Sequence, residues 1–338
     1  MRQNRKAVKI QDVAEAAGVS VSTVSRVLND KDDVAAETYE KVQKVVRELG
    51  YVSSLAARGM RSHRTNVIGL IMPDVASPYS IEVLQGVNRA ISQLDYDLIV
   101  YTNGDVRKNT SAYQESYYVT LLNGSVTDGV IVVTPAATNF STTAPVVAID
   151  PNNKSPECPA VISTNLEGAQ QVMQYLIGLG HRRIGFITGR LELVSARRRL
   201  EGYREGLAMA DIPVDEELIR VGDYTTETAE SCTRDLLGLE SPPTAIFASN
   251  DMSAMGVYQA AGEMRIRIPE DLSVVGFDNL REAAFLAPKL TTIDQSIPEM
   301  AYIATELIVK LVNGEKLEST VHKIPTKLII RDSCRVEG

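Results

Sequence analysis

The feature that most constrains this 338-residue chain is an alternation of short apolar runs with helical patterns that begins at Asn66. The runs are VIGLIM, DLIVYT, GVIVV, VVAI, RIGFI, TAIFA and SVVGF, and their composition predicts buried parallel strands. Helical spacing is found over Tyr79 to Leu94, Ser111 to Asn123, Leu166 to Leu179, Ala196 to Ala210, Thr226 to Leu239 and Asp251 to Glu263. Alternating strands and helices predict doubly wound parallel α/β sheets, and two sets of strands predict two lobes.

Polar side chains cluster where these strands end. Ligands of such sheets bind outside the carboxyl ends of the strands, and two lobes facing each other there form a cleft. The candidates are Asp74, Tyr79, Asp150, Ser195, Arg197, Arg199, Tyr224, Asn250, Asp251, Asp278 and Gln295. Carboxylates, amides and a guanidinium beside an aromatic ring suit a polyhydroxylated ligand. The alternative for a single residue is helix capping, which would by itself account for Asn250 or Asp251.

Before the α/β region, Ile10 to Asn29 predicts two short helices joined by a tight turn. An apolar face at helical spacing runs along the first helix, Gly18 ends it, and Ser20 is placed to cap the second. The outer face of the second helix carries Ser22, Thr23, Ser25 and Arg26. This arrangement places side chains in the DNA major groove, and an ordinary helical hairpin is the alternative.

A third helix is predicted over Ala36 to Leu49, so three helices can close a small core. The next segment, Tyr51 to Arg64, has the pattern of a short helix that Gly59 weakens. One side of that helix would carry Leu55, Ala56, Ala57 and Met60. We predict a hinge that folds conditionally, with a disordered linker as the alternative.

The charge distribution separates the two regions. Residues 1 to 64 carry 12 Lys or Arg and 8 Asp or Glu, a net charge of +4, whereas the remainder carries 23 against 35, a net charge of -12. A small basic module attached to an acidic body fits a DNA-binding unit joined to a core that does not itself bind phosphates.

Several other classes of protein are disfavoured. The basic N-terminus leads into no apolar core of signal-peptide length, and the longest apolar runs are far shorter than a membrane span. Three widely spaced cysteines suggest neither a disulfide framework nor a metal site, and they fit a reducing cytoplasm. No Gly-rich phosphate loop or nucleophile elbow is evident, and His181 precedes a strand, where a structural role is expected. We therefore expect no enzyme, cofactor or metal.

The sequence resembles the LacI/GalR family of bacterial transcription regulators over nearly the whole chain. The matching motifs are DVAEAAGVSVSTVSRVLN at 12–29, GYV at 50–52, GLGHRRIGFITG at 178–189, VSARRRLEGY at 194–203, FASND at 247–251, DLSVVGFDN at 271–279 and PKLTTIDQ at 288–295. The resemblance implies a helix-turn-helix headpiece joined by a hinge helix to a periplasmic-binding-protein-like core. It implies the domains 1–50 (headpiece), 51–65 (hinge), 66–165 with 294–322 (N-terminal lobe) and 166–293 with 323–334 (C-terminal lobe).

The resemblance also implies DNA-contacting positions. Base or phosphate contacts fall on Ser20, Val21, Ser22, Thr23, Ser25 and Arg26. In the hinge, Met60 stands where the family usually has a leucine that enters the minor groove, and Ala57 and Arg58 keep the pattern. Two departures are Ser53 and Ser54 in place of a common Pro-Asn pair, and Gly59 in place of serine.

For the core, the resemblance places effector contacts on residues that the strand-end argument also selects. They are Asp74, by its position after the first strand, and Tyr79, Asp150, Ser195, Arg199, Tyr224, Asn250, Asp278 and Gln295. Arg199 matches the binding arginine of the family better than Arg197 does, and Arg197 and Arg198 are expected to face solvent or to be structural.

These observations lead to one functional expectation. The chain is predicted to be a cytoplasmic, DNA-binding regulator, usually a repressor in this family, whose affinity for operator DNA is set by a small effector, which we expect to be a sugar. A dimer on a palindromic operator is expected, and the final RDSCRVEG contains no leucine heptad for pairing dimers. The alternatives are a purine effector, a partner protein such as a phosphocarrier, a sugar-acting enzyme that uses Asp150 and Asp278, and a sugar-transport protein.

Overall fold

The computed structural model describes residues 8–28, 31, 33–51, 64–102, 112–123, 126–153 and 156–337. The chain divides into two compact units, Met1–Thr65 and Asn66–Gly338. The first unit is helical, and the second contains two parallel-stranded sheets. The predicted fold class, a helical headpiece with a two-lobed α/β core, is therefore confirmed.

The first unit is a three-helix headpiece with its own apolar core. Its helices are α1 (Ile10–Ala17), α2 (Val21–Leu28) and α3 (Ala36–Leu49). The side chains buried between them are Val13, Ala14, Ala17, Val24, Val27 and Val42. The turn between α1 and α2 depends on Gly18, whose φ of 62° lies in the left-handed region that glycine adopts without steric cost.

The second unit contains the remaining elements, which alternate along the chain. Its strands are β1 (Val67–Met72), β2 (Asp97–Thr102), β3 (Gly129–Val133), β4 (Val146–Ile149), β5 (Ala160–Ser163), β6 (Ile184–Ile187), β7 (Ile219–Arg220), β8 (Ala245–Ala248), β9 (Ser273–Asp278), β10 (Thr291–Asp294), β11 (Val321–Ile324) and β12 (Lys327–Ile329). Its helices are α4 (Pro78–Leu94), α5 (Ala112–Leu122), α6 (Asn165–Gly178), α7 (Val194–Met209), α8 (Thr226–Leu237), α9 (Asp251–Glu263) and α10 (Ile297–Val312). Two short 3-10 turns cover Glu216–Leu218 and Arg281–Ala284.

The N-terminal lobe is built on a sheet with the strand order β11-β5-β4-β3-β1-β2, in which every pair is parallel. Alternate residues of β1 point to opposite faces of the sheet. Leu70 packs with α4 and α10 on one face, whereas Ile71 packs with α5 on the other. Helices therefore cover both faces, as in a doubly wound fold.

The C-terminal lobe repeats this plan with the strand order β12-β10-β9-β8-β6-β7. Phe186 and Phe247 pack against α6 and α7 on one face, while Ile187 and Ile246 pack against α8 and α9 on the other. The β10–β12 pair is antiparallel, so the expectation of purely parallel lobes fails at this one edge. An antiparallel edge strand on a parallel sheet is common in large α/β proteins.

Three crossing segments connect the lobes, and they are hydrogen-bonded to one another. The first lies between β5 and α6, the second between β10 and α10, and the third between β11 and β12. Thr326 N donates to Thr164 Oγ1 at 2.9 Å, and Ser163 Oγ donates to Gln295 Oε1 at 2.8 Å. These bonds tie the three crossings together at the point where the lobes must bend.

Two details differ from the sequence predictions. β2 was expected to be buried, but it is the edge strand and its side chains are exposed or half-buried. β11 ends at Ile324, so the third crossing follows that residue instead of residue 322, and Asp294 ends β10 in the C-terminal sheet. Neither difference is encoded in local composition, because both depend on which strands become neighbours.

Candidate functional site

The carboxyl ends of the strands gather a polar cluster between the two lobes of the core. The members of this cleft cluster are Tyr79, Asp150, Ser195, Arg199, Tyr224 and Asp278. They come from α4, the end of β4, the first turns of α7, the loop after β7 and the end of β9. The sequence prediction placed all six residues in the cleft, and the structure brings these six together.

Arg199 is the central cation of the cleft cluster. It is 4% exposed, and its Nη1 lies 3.6 Å from Asp278 Oδ1. Its Nε donates to Asn165 Oδ1 at 2.8 Å, its Nη1 also donates to the carbonyl of Ser249, and its guanidinium lies 3.8 Å above the Phe277 ring. Its Nη2 donates to none of the described residues, so a rigidly held guanidinium presents two free donors.

Asp278 is buried beside Arg199 and is held by Gln295, whose Nε2 donates to Asp278 Oδ1 at 2.6 Å. Burial raises the pKa of the Asp278 carboxyl to about 7, although Arg199 and Gln295 favour its ionised form. The other polar atom of Gln295 accepts from Ser163, the last residue of β5 before the first crossing segment. Gln295 therefore links Asp278 to the end of β5, and both polar atoms of its side chain already have protein partners.

Asp150 follows β4 on the opposite lobe. Burial raises the pKa of its carboxyl, while Arg199 and a hydrogen bond from Ser195 lower it. Ser195 is itself 6% exposed at the start of α7. The N-terminal lobe therefore contributes the half-buried carboxylate of Asp150, and the C-terminal lobe the buried carboxylate of Asp278, to the surroundings of the same arginine.

Tyr79 and Tyr224 each contribute an apolar ring and a hydroxyl group to the cleft cluster. The hydroxyl of Tyr79 is buried and has no hydrogen-bond partner among the described residues. Burial first, and then the charges of Asp150 and Asp278, raise the pKa of the Tyr79 hydroxyl. The Tyr224 ring lies so close to Gly189 that a Cβ there would come within 2.0 Å of the ring, so glycine is required beneath it. An unpaired buried hydroxyl costs free energy that a ligand hydroxyl can recover.

Backbone strain concentrates in the same place. Asp150, Tyr224 and Asp278 have φ values of 48°, 74° and 120°, in the region that residues with a side chain rarely adopt. Such conformations cost about 1–3 kcal/mol each and persist where surrounding structure fixes them, commonly in binding sites. Three of the six members of the cleft cluster are held in this way.

The remaining predicted effector residues have other partners. Asn250 caps α9 by accepting from Ser253 N at 2.8 Å, and its Nδ2 donates to the carbonyl of Tyr224 at 3.3 Å. Asp251 is buried and accepts from Leu280 N at 2.7 Å. Asp74 accepts from Ala76 N at 2.8 Å in its own loop and makes no hydrogen bond to the cleft cluster within the described residues. Capping thus accounts for the contact of Asn250 Oδ1, as the alternative interpretation of the sequence allowed, while its Nδ2 holds the loop that carries Tyr224.

Sequence reasoning missed two groups of cleft residues. Asn165, Ser249 and Phe277 hold Arg199 through a carboxamide, a carbonyl and a ring, respectively. Asn152, from the N-terminal lobe, accepts from Val194 N at 2.9 Å and so caps α7 of the other lobe. Asn165 and Asn152 both follow strands at the same edge, which was a usable signal, whereas the role of a carbonyl group has no sequence signature.

Other chemistry has no support in the described part of the chain. No group of three or more His, Cys, Asp or Glu there is arranged to hold a metal ion. His181 is fully buried, with Nδ1 2.8 Å from Thr244 Oγ1 and Nε2 3.2 Å from the carbonyl of Arg335, which is a structural arrangement. No helix among these residues is long and apolar enough to cross a membrane.

The headpiece presents a second candidate surface, on α2. Ser20 caps this helix by accepting from Thr23 N at 3.1 Å, and its hydroxyl also lies 2.6 Å from that of Ser22. Val21 is 41% exposed, Ser22 is exposed, and the exposed Arg26 pairs with Asp33 at 3.3 Å. Of the predicted outer face, Ser22 and Arg26 are exposed, whereas Thr23 and Ser25 are half-buried. The hinge residues Ala57, Arg58 and Met60 lie outside the described residues.

Comparison with known proteins covers both units. The family model of bacterial regulatory proteins of the lacI family matches residues 9–54, and that of the periplasmic binding protein-like domain matches residues 173–334. The HTH-type transcriptional repressor PurR of Pasteurella multocida is 32% identical over 336 residues, which cover 96% of this chain and 98% of that protein. The ribose operon repressor of Halalkalibacterium halodurans is 33% identical over 330 residues, covering 96% and 97%.

Similarity extends to three-dimensional structure. The crystal structure of the lac repressor dimer bound to operator and the anti-inducer ONPF superposes with a TM-score of 0.86 at 27% sequence identity. The superposition covers 98% of this chain and 100% of that one. The headpiece and the two-lobed core are therefore both shared with a protein that was solved on its operator.

Proposed function

This chain belongs to the LacI family of bacterial regulatory proteins, and we propose that it represses transcription from a palindromic operator under the control of a sugar bound between the lobes of its core. As a member of this family it is a DNA-binding transcription regulator with an effector-binding core, not an enzyme, and it acts as a dimer. The identity of the effector is the part that the proposal adds. The observation that carries it is the cleft cluster around Arg199.

The cleft cluster has the chemistry that a polyhydroxylated ligand needs. Asp150 and Asp278 offer acceptors for hydroxyl donors, Arg199 offers free donors, and the unpaired Tyr79 hydroxyl can take either role. The ring of Tyr224 supplies a flat apolar surface against which the carbon face of a sugar can pack. Binding would satisfy buried groups that are otherwise unpaired, which supports a sugar as the effector.

On the headpiece, we assign DNA contacts to the outer face of α2. These contacts are Ser20, Val21, Ser22, Thr23, Ser25 and Arg26, with Ala57, Arg58 and Met60 contributing from the hinge. Arg26 is suited to the edge of a guanine, and the exposed Val21 is suited to a thymine methyl group. Two headpieces in a dimer call for two half-sites related by a two-fold axis. Because it acts on bacterial DNA, we place the protein in the cytoplasm.

Regulation follows from the division into domains that we propose. We assign residues 1–50 to the headpiece, 51–65 to the hinge, and two lobes to the rest, with the third crossing placed after Ile324 because β11 pairs with β5. A sugar that contacts both lobes favours one relative orientation of them. The hinge transmits that orientation to the headpiece. A coupling of about 1–3 kcal/mol changes operator affinity about 5- to 150-fold.

A thermal-shift screen of the full chain against neutral sugars and purines tests the proposal. A ligand at about 100 times its dissociation constant adds about 2.7 kcal/mol, which raises the midpoint of core unfolding by about 5–10 °C. We expect a sugar to produce this shift and also to change operator affinity in a gel-shift titration. A purine that stabilises the core when no sugar does would replace the proposed effector.

The affinity for the sugar is expected to depend on pH near neutrality. Burial raises the pKa of Asp278 to about 7, and the ionised carboxylate is a stronger acceptor for a ligand hydroxyl than the protonated carboxyl group is. Affinity should therefore rise as the pH rises towards 7 and fall by up to about tenfold per pH unit below it. Calorimetric titrations between pH 5.5 and 8 measure this profile.

The contribution of Asp278 to the stability of the unliganded core should fall as the pH rises, which is opposite to the change in affinity and provides a control. Because the pKa of Asp278 is higher in the folded state than its ordinary value of 3.8, the folded state retains the proton longer, and the contribution of this group to stability falls as the pH rises from about 4 to 7. Asp278→Asn should flatten both profiles. An affinity that does not change with pH would show that the Asp278 carboxylate does not accept from the ligand.

A further inference from the structure

Helix α5 of the N-terminal lobe carries a carboxylate on the face that packs against the sheet. The buried residues of this helix are Glu115, Val119 and Leu122, which have the spacing of one helical face. The aromatic Tyr113 of the same helix is instead 81% exposed. A glutamate is almost never buried unless its carboxylate has partners, so the position of Glu115 requires a physical reason.

The partners of Glu115 are backbone amides of the β3 loop, residues 134–137. Ala137 N donates to Glu115 Oε2 at 2.8 Å. Burial raises the pKa of the Glu115 carboxyl, whereas hydrogen bonds from the amides of Ala137 and Ala136 lower it. Hydrogen bonds between a carboxylate and N–H groups are among the stronger ones in proteins. The β3 loop is therefore fixed by a side chain that does not belong to the cleft cluster.

The β3 loop is in turn hydrogen-bonded to the segment that follows β4. Thr134 N donates to the carbonyl of Ile149 at 2.7 Å, and Asn152 N donates to the carbonyl of Pro135 at 3.0 Å. These two bonds lie on either side of Asp150, whose φ of 48° belongs to the left-handed region. A strained backbone persists only where its surroundings fix it, and the β3 loop supplies two of the bonds that do so.

The segment after β4 also carries the hydrogen bond between the lobes. Asn152 Oδ1 accepts from Val194 N, the first amide of α7, at 2.9 Å. The N-cap position of this helix is occupied by Leu193, which makes no side-chain cap, so the cap comes from the opposite lobe. The position of Asn152 therefore determines whether the two lobes are joined at this point.

We infer that Glu115 is a positioning residue of the effector-binding core, which acts through the β3 loop to hold Asn152 where it accepts from Val194 N. The path has three hydrogen-bonded steps: Glu115 to the β3 loop, the loop to Asn152, and Asn152 to Val194 in the other lobe. A contiguous network of this kind can carry coupling free energy between distant positions. Glu115 thus strengthens the contact between the lobes in the unliganded core, whatever the effector is.

The test measures hydrogen exchange at the Val194 amide in the full-length chain without effector, by magnetic resonance on isotope-labelled valine. Asn152→Ala removes the acceptor, and a net hydrogen-bond contribution of ordinary size corresponds to exchange that is about 2- to 12-fold faster. Glu115→Leu should also speed exchange at Val194 by at least about twofold, up to the effect of Asn152→Ala. This variant removes the acceptor for Ala137 N but places an apolar side chain on a helix face that is otherwise apolar.

The amide of Val275 in β9 provides an internal reference. It lies in a buried strand of the C-terminal sheet, so its exchange reports general opening of the core. The ratio of the Val194 rate to the Val275 rate is therefore insensitive to a general loss of stability. A purely structural role of Glu115 would leave this ratio unchanged.

Two matched variants belong to the same helix. Glu115→Gln retains a side-chain oxygen that can accept from Ala137 N, so the rate ratio should stay within about twofold of that of the unmodified chain. Tyr113→Ala truncates an exposed side chain and should leave the ratio unchanged.

The double variant Glu115→Leu/Asn152→Ala tests the path itself. If Glu115 acts through Asn152, the double variant should exchange no faster at Val194 than Asn152→Ala alone, since the contact that Glu115 supports is already lost. Additive effects would show that Glu115 acts by another path and would overturn the inference.

Two further results would also overturn it. One is an unchanged rate ratio in Glu115→Leu while Asn152→Ala raises that ratio. The other is an unchanged ratio in Asn152→Ala, because the bond between the lobes would then be absent from the unliganded protein. None of these measurements uses a sugar, so they leave the proposed effector to the thermal-shift screen, and a failed screen leaves them standing.

Discussion

Replacing Arg199 with alanine is expected to weaken effector binding by about 30-fold to several-thousand-fold. The guanidinium lies in the centre of the cleft cluster, and truncating a buried, hydrogen-bonded charge of this kind costs about 2–5 kcal/mol. The change removes two donors for the ligand and leaves the Asp278 carboxylate without its cation. Calorimetric titration with the sugar identified by the screen measures the loss, and a gel shift without sugar should show operator binding retained.

Arg197 provides the matched control on the same helix. It is exposed, and it donates only to carbonyls of the preceding loop, so Arg197→Ala should keep effector affinity within about threefold of the original, a difference of less than 1 kcal/mol. Arg199→Lys keeps the charge but loses the fork geometry, and its affinity should lie between those of Arg199→Ala and the unmodified chain. Equal affinities in Arg199→Ala and Arg197→Ala would remove Arg199 from the binding site.

Replacing Arg26 with alanine should weaken operator binding by about 5- to 150-fold, because a bidentate contact to a base edge contributes about 1–3 kcal/mol. The loss should be measurable by gel-shift titration at fixed salt, since protein–DNA affinity is steeply salt-dependent. Effector affinity should stay the same, because Arg26 belongs to the headpiece and the effector site belongs to the core. The stability of the headpiece should change little, because the exposed Arg26–Asp33 pair contributes at most about 1 kcal/mol.

Asp33→Ala separates the role of the Arg26 charge from that of its ion pair. This variant loses the same pair but leaves the arginine in place, so operator binding should be equal to that of the unmodified chain or tighter. If Asp33→Ala weakened binding as much as Arg26→Ala does, the effect would come from the local structure of α2 and not from a contact with DNA.

Elements with strong local signals were predicted to the residue. α3 at Ala36–Leu49 and α9 at Asp251–Glu263 match the helical spacing and the residues that flank them, Gly50 and Asn250. α7 begins at Val194, two residues before the predicted start. Its cap is Asn152 of the other lobe, and no pattern within the helix could reveal a partner more than forty residues away.

The sequence predicted where strands lie better than it predicted which strands pair with each other. The composition of DLIVYT predicted a strand but gave no sign that β2 would lie at an edge, since edge position depends on which strand finds a neighbour. β5, β11 and β12 are short, and they were not among the predicted apolar runs. These three segments form strands because neighbouring strands pair with them, and such context outweighs intrinsic strand propensity.

For the site, polar residues at the carboxyl ends of parallel strands are expected to converge, and this rule was sufficient to predict that Tyr79, Asp150, Arg199 and Asp278 lie close together. The same rule also selected Gln295, whose side-chain atoms are all used by protein partners. The position of a residue in the sequence predicts where its side chain lies, but not whether protein neighbours already occupy its hydrogen-bonding atoms. Whether those atoms are free for a ligand can be decided only from interatomic distances in the folded structure.

The hydrogen bond from Val194 N to Asn152 has a consequence for how the regulator is tuned. It joins the two lobes across the cleft through residues that lie outside the cleft cluster. A bond of this kind contributes about 0.5–1.5 kcal/mol to the arrangement in which the lobes are joined, and it does so independently of the contacts that a ligand makes. Sequence change at position 152 therefore offers a means of moving the midpoint of the dose–response curve while leaving the choice of effector intact, which allows sensitivity and selectivity to evolve independently.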